Sequence, residues 1–120
     1  MHVRKTLLTK IADLREDIIF CGIATNAEIV DYYYKQDSRI PLPKDKDMKR
    51  MVLQSTLMTS MLKTNEGIVG KSKFLVIVHE DINSMLFPFK DDSVMAVTFL
   101  KFEEIEELAK DVLDLAKTHL

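Results

Sequence analysis

The chain has 120 residues, 47% of them hydrophobic and 30% charged, the balance of one soluble globular domain spanning residues 1–120 around a single core. A net charge of −2 supplies no field to recruit nucleic acid or anionic lipid. No apolar run approaches the roughly 20 residues of a membrane span.

The amino terminus, MHVRKTLLTKIADLRED, has no apolar h-region and no small-residue cleavage site, so no secretory leader is expected. Cys21 stands alone, which rules out an internal disulfide and makes a cytoplasmic protein the expectation. Seven methionines suit adaptable packing, in a core or at an interface that can re-pack.

Leu7, Leu8, Ile11, Leu14 and Ile18 recur at helical spacing and predict an amphipathic helix over about 3–16. IIFCGIA, Ile18 to Ala24, is short, continuously apolar and bounded by polar residues, so it reads as a strand buried on both faces. Thr25-Asn26-Ala27 is a turn, and Glu28 to Lys35 returns as a second strand to complete a hairpin. QDSRIPLPKDKD, with Pro41 and Pro43, is the longest loop. Asp45 or Asp47 is placed to cap a helix over about 46–64, and Asn65, Gly67 and Gly70 to stop it. A third strand follows over Phe74 to His79, then a turn from Asp81 to Ser84. MLFPF is the fourth strand, and Asp91-Asp92 turns the chain into the fifth, Ser93 to Leu100. Pro88 has no N–H for a ladder, so the fourth strand should end, bulge or face an unpaired position there.

The last segment is the clearest helix. Phe102, Ile105, Leu108, Ala109, Val112, Leu115 and Ala116 form one stripe. Glu103, Glu104, Glu106 and Glu107 lie toward its positive amino end. The order α-β-β-α-β-β-β-α, with antiparallel hairpins, gives an α+β domain. Its apolar strands lack alternation, so helices should cover both faces of the five-stranded sheet.

The middle helix carries too much apolar surface for one core. With Met48 at the origin and about 100° per residue, Met48 and Val52 lie near 0–40°. Met51, Met58 and Leu62 then fall at roughly 280–320°, and Leu53, Leu57 and Met61 at roughly 140–220°. A helix on one core needs a stripe of only about 100°. Either a neighbouring helix or a partner chain must cover the second sector. The single stripes of the other helices are accounted for by the sheet, which favours a partner, with Met51, Met58 and Leu62 preferred as the contact. Lys49, Thr56, Ser60 and Lys63 occupy the remaining solvent wedge.

The hairpin IIFCGIATNAEIVDYYYK, the long apolar helix and the meander FLVIVHEDINSMLFPFKDDSVMAVTFL together resemble the roadblock (dynein light chain) family. The resemblance covers nearly the whole chain, although Thr25-Asn26-Ala27 replaces the family's Gly-containing turn. It implies a profilin-like α/β/α fold with the first and last helices on one face of the sheet. It also implies a homodimer that pairs the edge of the third strand across a two-fold axis and packs the middle helices antiparallel. The implied interface takes in Met48, Met51, Val52, Met58 and Leu62 with Phe74 and Val76, and the implied partner surface Lys49, Thr56, Ser60 and Lys63. Many members act as platforms for small Ras-like GTPases or as scaffold subunits.

No motif argues for chemistry. Gly67-Ile68-Val69-Gly70-Lys71-Ser72 suggests a phosphate loop, but Asn65 stands where the first glycine belongs and the strand follows instead of preceding. His79-Glu80-Asp81, even with His2 or His119, lacks zinc spacing. Cys21 sits among apolar neighbours that make it inert. Tyr32, Tyr33 and Tyr34, near Lys35 and Arg39, resemble a stacking platform for single-stranded nucleic acid, yet the acidic balance removes its attraction. The expectation is a non-enzymatic homodimeric interaction module without cofactor or metal, serving a small GTPase or another protein. The alternative is a PAS- or GAF-like ligand-sensing domain, which needs a pocket between sheet and helices. The dense apolar strands predict that space to be filled.

Overall fold

A computed structural model describes residues 2–36 and 40–119. Its elements are α1 (His2–Ala12), β1 (Ile18–Thr25), β2 (Glu28–Tyr34), α2 (Asp45–Lys63), α3 (Glu66–Val69), β3 (Leu75–Val78), β4 (Asn83–Pro88), β5 (Ser93–Phe99) and α4 (Ile105–His119). The strands form one sheet in the order β2-β1-β5-β4-β3, antiparallel at every pairing. The α+β class, the five strands and helices on both faces are as the sequence predicts.

The two faces are packed very differently. On one, Cys21, Ile23, Met85, Phe87, Met95, Val97 and Phe99 meet Leu7, Leu8 and Ile11 of α1 and Leu108, Ala109 and Val112 of α4 in a continuous buried core. On the other, α2 packs alone against β2, β5 and β4.

Local chemistry sets the boundaries. Asn26 and Ala27 close the β1–β2 hairpin with φ of 53° and 64°, the left-handed pair that a two-residue hairpin needs. Asp91 and Asp92 do the same between β4 and β5, at 60° and 56°. Pro88 ends β4 beyond the reach of β3, which pairs no farther along it than Leu86. The predicted Asp81–Ser84 turn is shorter than expected, because Asn83 and Ser84 already belong to β4.

Several expected boundaries shift. The first helix stops at Ala12, and Ile18 opens β1 instead of continuing the helical stripe. The residue capping α2 is Lys44, with no side-chain capping bond. Asp45 and Asp47 lie inside its first turn, where they complement the dipole. After Lys63 the chain does not simply stop. It makes one further turn, α3, with Gly67 inside it and Gly70 ending it at φ 90°. α4 starts at Ile105, so Phe102 precedes the helix and is 62% exposed instead of joining the stripe.

α1 ends early because Arg15 and Asp17 bind elsewhere. The Arg15 guanidinium grips the Asp17 carboxylate through Nε and Nη2 at 2.8 and 2.7 Å. It also donates to the carbonyls of Glu103 and Lys101, and stacks over Phe99 at 5.6 Å. Asp17 in turn accepts the backbone N–H groups of Leu100 and Lys101. Burial pushes the Asp17 carboxyl up, but Arg15 and the two N–H groups outweigh it and hold the group below the ordinary carboxylate value.

Asp17→Ala leaves the Arg15 charge without its carboxylate and the Lys101 N–H without its acceptor, and should cost about 3 kcal/mol in chemical denaturation. Because the folded pKa is lowered, the stabilisation is complete above the unfolded value of 3.8 and disappears as pH falls through the folded one. The parent should therefore lose its advantage over the variant in melts below about pH 4. Ala27→Gly relieves a left-handed alanine and should raise stability by about 0.5–1 kcal/mol, read as a higher melting temperature.

Candidate functional site

The sheet beneath α2 decides which way the helix faces. On that side the paired positions form rows: Tyr34, Phe20, Thr98, Ser84 and Ile77, then Tyr32, Gly22, Ala96, Leu86 and Leu75. The centre of this floor is made of small residues. The Phe20 ring leans over Gly22, where a Cβ would stand 2.9 Å from it, and stacks on Tyr32. α2 sets Thr59, its one buried residue, toward this floor, with Met48, Val52, Met58 and Leu62 half-buried.

Leu53, Leu57 and Met61 therefore point outward, 49%, 54% and 68% exposed, with Met51 at their margin. Of the sector expected to face outward, Met51 is exposed, whereas Met58 and Leu62 are half-buried. α3 follows directly with Ile68 and Val69, both more than three-quarters exposed. Of the predicted solvent wedge, Lys49 and Ser60 are exposed, while Thr56 is half-buried and donates to the Val52 carbonyl. Lys63 pairs with Asp92 at 3.4 Å.

The predicted filling of the space between helix and sheet is also corrected. A cavity of about 190 Å³ lies there, lined by sheet, helix and the Ile40–Pro43 segment. Small floor residues and a lightly seated helix leave it open.

The two sheet edges differ. At β2, Lys5 donates to the Tyr32 carbonyl and lies 5.8 Å from its ring centre. Asp31 accepts the Tyr32 N–H. Side chains thus occupy the groups that an incoming strand would need. At β3, no side chain bonds the backbone among the described residues. Phe74 and Val76 are half-buried against the core, Phe74 beside Phe87 at 5.9 Å, so β3 offers its backbone and the exposed Val78 for pairing.

The remaining candidates are absorbed by the fold. Tyr32 stacks on Phe20, Tyr33 packs on the core, and the Tyr34 hydroxyl donates to the Ile40 carbonyl. Arg39 and the His2 side chain lie outside the described residues. The His79 N–H donates to the Ile82 carbonyl in an exposed turn, and His119 contacts Lys10 at the other end of the chain. Among the described residues no three His, Cys, Asp or Glu side chains are grouped to hold a metal, and no helix is long and apolar enough to cross a membrane.

No protein-family model matches the sequence, and no curated protein matches it. Solved structures do match its shape. The Roadblock/LC7 domain from Streptomyces avermitilis superposes with a TM-score of 0.72 at 8% identity, over 94% of this chain and 91% of that one. The gliding protein MglB from Thermus thermophilus gives 0.74 at 7% identity, over 98% and 89%. MglC from Myxococcus xanthus gives 0.67 at 15% identity, over 98% and 97%. The chain has the roadblock fold.

Burial pushes the Cys21 thiol up to about 12. Little reactive thiolate is then present near neutral pH. The native protein should resist a thiol-reactive reagent that labels it promptly once unfolded.

Proposed function

We propose that the chain is a non-enzymatic, homodimeric interaction module of the cytoplasm that scaffolds or regulates a small Ras-like GTPase or another protein assembly. The observation that carries this reading is the outward sector Leu53, Leu57 and Met61 on a helix that buries only Thr59. Each such side chain gains about 1.5–3 kcal/mol when fully covered, so the sector favours a second surface. The unobstructed β3 edge gives the same second copy a row of backbone groups to pair with. Similarity of fold to a Roadblock/LC7 domain supports the family resemblance, and that resemblance suggests a GTPase or a scaffold as partner. The exposed Lys49 and Ser60, with Lys63, flank the helix pair and form part of the partner surface.

Light scattering at micromolar concentration should give twice the mass of one chain. Leu57→Asp should give a folded monomer, because an unpaired charge is excluded from a buried interface. Met58→Asp, facing the sheet, should instead lower stability. A parent protein that is monomeric and well folded at high concentration would sink the proposal. Charge reversal at Lys49 and Lys63 should leave the dimer intact and slow association with a partner recovered from the native organism.

A further inference from the structure

We infer that the space between α2 and the sheet is a binding site for a small, neutral aromatic molecule. The inference is independent of the dimer, since it concerns the inner side of α2 and not its outward sector.

Size comes first. A dry apolar cavity of about 150 Å³ holds benzene. This one is about 190 Å³, room for one or two fused rings. Its depth comes from Ala24 and Ala96, small residues on two adjacent strands, with the Phe20 ring lying over Gly22 beside them.

Charge comes second. Among the described lining residues there is no Lys, Arg, Asp or Glu, and the one imidazole, His79, is on an exposed residue beyond the end of β3. An ion placed over the apolar floor would lose its water and find no carboxylate, ammonium or guanidinium to pair with. The polar groups that do line the space include Thr98 and Ser84, cross-strand partners on β5 and β4. Their hydroxyls can take one hydrogen bond from a ring N–H or O–H and orient the ligand.

The roof suits a flat ring. Met48, Met51 and Met58 bring flexible thioethers that adapt their shape and interact favourably with aromatic edges. Entry needs little disruption. The hydroxyls of Ser55, Thr56 and Thr59 all bond to carbonyls of α2 itself, so none of them ties the helix to the sheet.

The test is a titration of the full chain with indole, followed by saturation-transfer NMR and by amide shifts. Saturable binding is expected with a Kd below about 1 mM, with shifts at Gly22 and Ala96. Benzoate, of similar size but charged, should bind at least roughly tenfold more weakly. Ala96→Leu fills the floor and should weaken indole binding by at least about tenfold. Should that variant not fold, Val52→Phe fills the space from the roof and should do the same. Leu57→Asp should bind like the parent, which separates this site from the dimer contact. Indole that fails to saturate, or that binds the folded cavity-filled variant as well as the parent, overturns the proposal. So does benzoate binding equally well. Indole released as the protein associates at high concentration also overturns it, assigning the space to the second copy.

Discussion

One helix cannot cover one face of a five-stranded sheet. Strands about 4.8 Å apart make a face roughly 20 Å wide, and a helix with its side chains spans about 10–12 Å. α1 and α4 together match that width, and the residues of the central strands beneath them are buried. α2 alone covers about half of the opposite side. The cavity, the half-buried methionines and the exposed outward sector are consequences of that mismatch.

The closed face is fixed by a small amount of polar chemistry. The Arg15–Asp17 pair joins the α1–β1 connection to the β5–α4 connection, so the two helices that share this face are anchored at one point. Removing one partner would leave a largely buried charge facing backbone groups that have lost their bond. The pair also explains a boundary that periodicity misses. Leu14 and Ile18 continue the helical stripe in sequence, but Arg15 and Asp17 are satisfied only when the helix has ended.

The strands, the hairpin turns and the last helix are legible in the sequence because apolar runs and turn residues act locally. The orientation of α2 is not. Hydropathy assigns the largest apolar groups to the core, yet the sheet under α2 includes Gly22 and Ala96, and the one residue that α2 buries is Thr59. A small hydroxyl that bonds to its own helix's carbonyls costs little to bury, so a polar letter marks the inner face and leucines mark the outer one. The cavity escapes a hydropathy reading for the same reason: apolar strands predict filled space, although their small residues leave it open. Phe102 departs from its stripe for another cause, since positive φ at Glu104 redirects the chain just before the helix.

The contrast between edges gives the open face a direction. β2 is obstructed by Lys5 and Asp31, whereas the backbone of β3 meets no such obstruction among the described residues. Antiparallel pairing of two β3 strands has its two-fold axis perpendicular to the sheet, and such an operation never exchanges the faces. A second copy joining there would therefore bring its own α2 to the same side as the first. The joined face would carry two α2 helices over ten strands, each still covering about half of its own five, and the closed face its two α1 and α4 pairs. Side-chain bonds at β2 therefore limit strand pairing on that side, and β3 is the edge whose backbone meets none among the described residues.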